Sequence, residues 1–220
     1  MVWLGGVGSV PTGSASGCLV RVGHDGTVST SPTNQPQYRR GLTVMGGLLV
    51  LLWALEFVDQ VTNNFLDQFG IRARQVASLP EIFTAPFLHA GWGHLLANSL
   101  PFLLLGFLTY LAGRRVWVVT TLLSVVVSGL VAWLFSPPNT ITLGASGVIF
   151  GWLVFLLVRG VYTRKFGQIA IAAAVFLIYG SVLLGVFPTA AGVSWQAHLG
   201  GALGGWLSAW WLHGRSSTTR

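Results

Sequence analysis

Four residues set in apolar surroundings carry the chemistry available to this chain: Ser146, His198, His94 and Asn98. Ser146 lies in Gly144-Ala145-Ser146-Gly147, where small neighbours leave its hydroxyl on tight backbone. A serine becomes a nucleophile when a base lies within hydrogen-bonding reach, and His198 is the best candidate. No Asp or Glu follows Glu81, so a Ser-His dyad is favoured over a Ser-His-Asp triad, and something other than a carboxylate must orient the imidazole. Phe150, four residues after Ser146, shares its helical face and is placed to pack against that ring. Attack on a carbonyl creates an oxyanion that needs preorganised donors. The Asn98 amide, a ring N–H of His94 and the backbone N–H of Ser146 form a suitable set. His94 and Asn98 are at i and i+4, on one face. His89 lies off that face and is expected to anchor a loop.

The elements that must position these residues are membrane spans. Only 8% of the 220 residues are charged and 53% are hydrophobic, with a mean hydropathy of +0.70, which excludes an ordinary soluble composition. A bilayer crossing needs about 20 mostly apolar residues. Six segments qualify, at roughly 41–58, 94–113, 116–135, 141–158, 168–187 and 196–213. The expected fold is an all-α membrane bundle of six helices. Residues 39–214 form the membrane domain, preceded by a flexible tail over 1–38, rich in Gly, Ser, Thr and Pro, and followed by a short tail over 215–220. A long loop over 59–93 mixes apolar and polar residues and is expected to form short amphipathic helices in the interface.

Charge sets the orientation. Arg39 and Arg40, Arg114 and Arg115, Arg159, Arg164 and Lys165, and Arg215 and Arg220 fall on one side if every segment spans. The positive-inside rule then puts both termini in the cytoplasm. The net charge of +7 serves this orientation, and no nucleic-acid partner is expected. The lone Cys18 excludes an intrachain disulfide.

In this topology, spans two, four and six all enter from the outside. Ser146 is expected five residues into span four, roughly 7 Å deep at about 1.5 Å per residue, level with His94, Asn98 and His198. Polar residues at membrane depth tend to be functional. Gly147 and Gly151, Gly200 and Gly204, and Gly201 and Gly205 are each four apart, and such small-residue faces let helices approach closely in lipid. Spans four and six are therefore expected to pack together, with Ser146 facing His198. Pro101 removes a backbone bond to Ala97 beside the His94 and Asn98 pair.

These motifs, in this order, resemble the rhomboid intramembrane serine proteases over roughly His89–Leu212. His89-Ala-Gly-Trp-Gly-His94-Leu-Leu-Ala-Asn98 is similar to the family's second-helix signature. Gly144-Ala145-Ser146-Gly147 is similar to its serine motif, and His198 with Gly201 and Gly205 to its last-helix motif. The resemblance implies cleavage of transmembrane protein substrates near their extracytoplasmic end. Ser146 would be the nucleophile, His198 the base, His94 and Asn98 the oxyanion donors and Gly144 a substrate-contacting glycine. It also implies that span five and the 188–194 loop admit substrate. Two departures stand out. Pro80-Glu81 occupies the place where many members carry Trp-Arg, which bears on the fold of the loop, and Phe150 stands where the family often has Tyr.

Three rivals remain. A rhomboid-like binder without activity generally lacks the serine or the histidine, and both are present. A transporter would place its polar residues near the bilayer centre. A metal site would draw on His89, His94 and His198, but no His-Glu-x-x-His motif occurs, and neither metal nor cofactor is expected. Membrane lipid is the surrounding partner, and no oligomeric interface is read from the sequence.

Overall fold

The computed structural model describes residues 35–188 and 192–214, together with the backbone at 18–22 and 28–32. The chain divides into two units, Met1–Pro36 and Gln37–Arg220. Within the first, strands β1 (Cys18–Val22) and β2 (Val28–Pro32) pair antiparallel, with Cys18 opposite Pro32. The expected tail at 215–220 lies outside the described residues.

Among its described residues the second unit holds six α-helices: α1 (Gln37–Val61), α2 (Trp92–Leu111), α3 (Arg114–Phe135), α4 (Ser146–Thr163), α5 (Phe166–Tyr179) and α6 (Trp195–His213). A 3-10 segment, Gly180–Val186, continues α5. Five helical stretches are long and apolar enough to cross a membrane: α1 to α4, and α5 with its 3-10 continuation. The sixth, α6, is rich in glycine and carries Gln196 and His198. It can be polar because it is enclosed by protein: Gln196, His198, Gly200, Gly201, Gly204, Gly205 and Ser208 are all buried.

Glycine determines how α6 is enclosed. A Cβ on Gly201 would overlap the backbone carbonyl of Gly147 on α4, and one on Gly205 would overlap that of Gly151. On the other side, a Cβ on Gly200 or Gly204 would come within 2.7 Å of the Val127 or Leu123 carbonyl oxygen on α3. Helix α6 therefore lies between α3 and α4 at backbone-contact distance, the close approach that small residues allow. The Ser128 hydroxyl ties this seam by donating to the Ala197 carbonyl at 2.8 Å.

Helix α4 is the axis of the core. Trp152, Leu153 and Phe155 are essentially inaccessible, as expected for a helix apolar on all faces. Peripheral α5 buries only Val175 and Tyr179. At one end of the bundle, Gln37 Nε2 donates to the Tyr110 carbonyl at 3.0 Å, joining the start of α1 to the end of α2.

One local expectation is corrected. Residues 141–145 are not helical. Strand β4 (Ile141–Thr142) pairs antiparallel with β3 (Ile71–Arg72), and Gly144 at φ +124° adopts backbone that side chains disfavour. Ser146 is thus the first residue of α4, not five residues inside a helix. The 59–93 loop forms short helices, all 3-10, at Phe65–Phe69, Val76–Ser78, Pro80–Ile82 and Ala85–Phe87, with Pro80 and Pro86 in the first positions of the last two. Helix α2 runs unbroken through Pro101.

The loop is held by its own polar side chains. The Arg74 guanidinium donates to the carbonyls of Leu134 and Ser136, each at 3.0 Å. The Asp59 carboxylate accepts from the Leu66 N–H at 2.6 Å.

Candidate active site

Ser146, His198, His94, Asn98 and Gly144 line one cavity of about 520 Å³. They reach it from three parts of the chain. Helix α2 supplies His94 and Asn98 from its first two turns, α4 begins at Ser146, and α6 supplies His198 from its first turn.

His198 is buried and fixed on two sides. Its Nδ1 lies 2.9 Å from the carbonyl oxygen of Gly185. A carbonyl can only accept, so Nδ1 carries the proton and Nε2 keeps a free lone pair. The ring of Phe150 stacks on the imidazole, with centroids 4.1 Å apart and planes 10° from parallel. A carbonyl and an aromatic face thus do the orienting that a carboxylate does in a triad.

The second histidine has the opposite tautomer. The backbone N–H of Ala90 donates to His94 Nδ1 at 3.4 Å, which leaves the proton on Nε2. A Cβ on Gly144 would come within 3.0 Å of that Nε2, so only glycine lets the chain pass here. The amide nitrogen of Asn98 is buried without a hydrogen-bond partner. A buried donor left unmatched costs free energy, and Asn98 is one of the residues lining the cavity. Ser146 opens α4, and the first N–H groups of a helix have no acceptor within it.

His89 stands behind these residues. It is 2% exposed, meets the His94 ring edge-on at 5.1 Å between centroids, and its Nε2 accepts from the Ala145 N–H at 3.4 Å. Burial, and secondarily the neighbouring His94, lower its pKa to about 4, so the ring is neutral at physiological pH and its Nε2 remains an acceptor. It holds the residue immediately before Ser146.

Three residues at the site escaped the sequence reading. Gly185 contributes through its carbonyl, and nothing in residue type marks a backbone acceptor. Ser128 also lines the cavity and packs closely on Gly147. Asp67, from the long loop, lines the cavity too, so a carboxylate is present although none lies in the later helices. Burial, and then Asp59, raise the Asp67 pKa. Gly147, Gly201 and Gly205 are brought together as packing residues of the α4–α6 seam.

The Rhomboid domain family model matches residues 76–215. The chain belongs to the rhomboid family. Its relatives include an uncharacterized protein of Mycobacterium tuberculosis, 39% identical across 94% of this chain and 91% of the relative. An uncharacterized protein of Mycobacterium leprae is 43% identical across 82% of this chain and 74% of its own length. Rhomboid-like protein 11, chloroplastic, of Arabidopsis thaliana is 32% identical across 60% of this chain and 52% of its own. The family is one of intramembrane proteases, and its match here spans Ser146, His198, His94, Asn98 and Gly144.

Proposed function

We propose that this rhomboid is an intramembrane serine endopeptidase that cleaves transmembrane segments of membrane proteins near their extracytoplasmic side. Ser146 Oγ attacks the scissile carbonyl while His198 Nε2 takes its proton. The oxyanion is received by Asn98 Nδ2, His94 Nε2–H and the Ser146 N–H. His198 then protonates the departing amine, leaving an acyl-enzyme on Ser146. Water, activated by the same Nε2, releases the acid product. The observation that carries this reading is the 2.9 Å approach of His198 Nδ1 to the Gly185 carbonyl oxygen, which leaves the free lone pair on Nε2, the nitrogen a dyad requires.

The orientation follows from charge. Among the described residues, Glu56, Asp59, Asp67 and Glu81 all belong to the outer part of α1 or the loop after it. Arg39, Arg40, Arg114, Arg115, Arg159, Arg164 and Lys165 lie at the opposite helix ends. With α6 as a sixth crossing, both termini lie in the cytoplasm of a cell-membrane protein, and the cavity opens outward.

The test is cleavage of a labelled single-span substrate by purified protein in detergent. Wild type should cut it, whereas Ser146→Ala and His198→Ala should not. Equal cleavage by Ser146→Ala would remove the proposal.

A further inference from the structure

The Gly185 carbonyl is available to His198 for a reason written in the chain. In a 3-10 segment each carbonyl accepts from the N–H three residues on. For Gly185 that position is Pro188, which has no N–H. Proline also disfavours helical backbone in the residue before it, and Phe187 is extended at φ −104°, ψ 154°. The 3-10 segment therefore stops at Val186 and the Gly185 carbonyl stays open toward Nδ1. The contact also needs glycine itself. A Cβ at 185 would lie 3.0 Å from Phe150 Cζ and 3.1 Å from His198 Nδ1, pressing on both members of the stack.

We propose that Gly185 and Pro188 are positioning residues for the base: the proline withholds the competing N–H, and the glycine carbonyl then fixes which ring nitrogen of His198 is protonated. The role rests on the reading of His198 as the general base. It places the determinant of the dyad's tautomer outside α2, α4 and α6, on the segment that follows α5.

The hydrogen bond can be read without any proteolysis. Protein labelled with ¹⁵N-histidine is measured by NMR in detergent at pH 8, with His198→Ala identifying the resonances. Wild type should show His198 protonated at Nδ1 in a hydrogen bond and unprotonated at Nε2. Pro188→Ala restores an N–H at the competing position, and Gly185→Ala crowds the ring. Each should weaken or lose the Nδ1 proton signal. Each should also lower kcat about 3- to 10-fold, the worth of one hydrogen bond, with KM unchanged. A wild-type His198 protonated at Nε2 overturns the proposal, as does a Pro188→Ala protein whose signal or kcat matches wild type. A wild type that cleaves nothing but shows the Pro188-dependent Nδ1 proton would refute the protease reading and leave the hydrogen bond standing.

Discussion

The Phe150 ring lies flat against the imidazole of His198, with centroids 4.1 Å apart and planes 10° from parallel. The stack fixes the plane of the ring, while the Gly185 carbonyl fixes its rotation within that plane. Aromatic pairs contribute about 0.5–1.5 kcal/mol beyond area burial. Phe150→Ala should therefore lower kcat roughly 3- to 10-fold and leave KM nearly unchanged, read by steady-state cleavage of a transmembrane substrate. An increase in KM alone would assign Phe150 to substrate binding.

Asn98 presents a buried amide nitrogen with no partner. If it binds the oxyanion, Asn98→Ala should lower kcat by about 10²–10³, with little change in KM and no loss of fold. Circular dichroism and detergent melting check the fold, and kinetics the rest. His94→Ala should fall in the same range, and the double variant should show less than the product of the two losses, since both donors serve one oxygen.

Gly205 lies along α6, away from the cavity, and a Cβ there would overlap the Gly151 carbonyl. Gly205→Ala should cost about 1–3 kcal/mol through overpacking, measured as a lower melting temperature in detergent. Gly47 on α1 has open space around it. Gly47→Ala should be neutral or mildly stabilising, because alanine is the better helix former. Equal destabilisation by both would mean that the α4–α6 contact is not specific.

Much of this architecture was legible because membrane helices announce themselves by apolar runs. The segments around α1 to α5, the glycine spacing of α6 and the clustering of Ser146 with His198, His94 and Asn98 all follow from residue type and spacing. What escaped were backbone events. Apolar residues Ile141 and Leu143 prolonged the run before Ser146, and the pairing of Ile141–Thr142 with Ile71–Arg72 depends on a strand partner far away in sequence. The 3-10 turns of the 59–93 loop and the Arg74 contacts to Leu134 and Ser136 are likewise tertiary. The Gly185 carbonyl had a local signal in Pro188, but its partner is in another helix.

His89 is neutral in the folded protein because burial lowers its pKa to about 4. Its unfolded value is near 6.5, so the unfolded chain binds this proton first as pH falls. The stability held by neutral His89 is complete above about pH 6.5 and is lost as pH drops toward 4, on the order of 3 kcal/mol in all. Asp67, with a raised pKa, acts in the opposite sense, since the folded state then binds its proton more readily. His89→Gln keeps an acceptor for the Ala145 N–H and removes the titration. Wild type should lose melting temperature between pH 6.5 and 4, and the variant should lose clearly less. Parallel curves would contradict a buried neutral His89.

The proposed nucleophile is Ser146, activated by His198. The most direct measurement of this is the mass of the protein after treatment with a fluorophosphonate, with the modified peptide sequenced. One adduct should form, on Ser146, in wild type; it should be abolished in His198→Ala and unaffected by chelators. An adduct on another residue, or one that forms on Ser146 equally well without His198, would contradict the proposal.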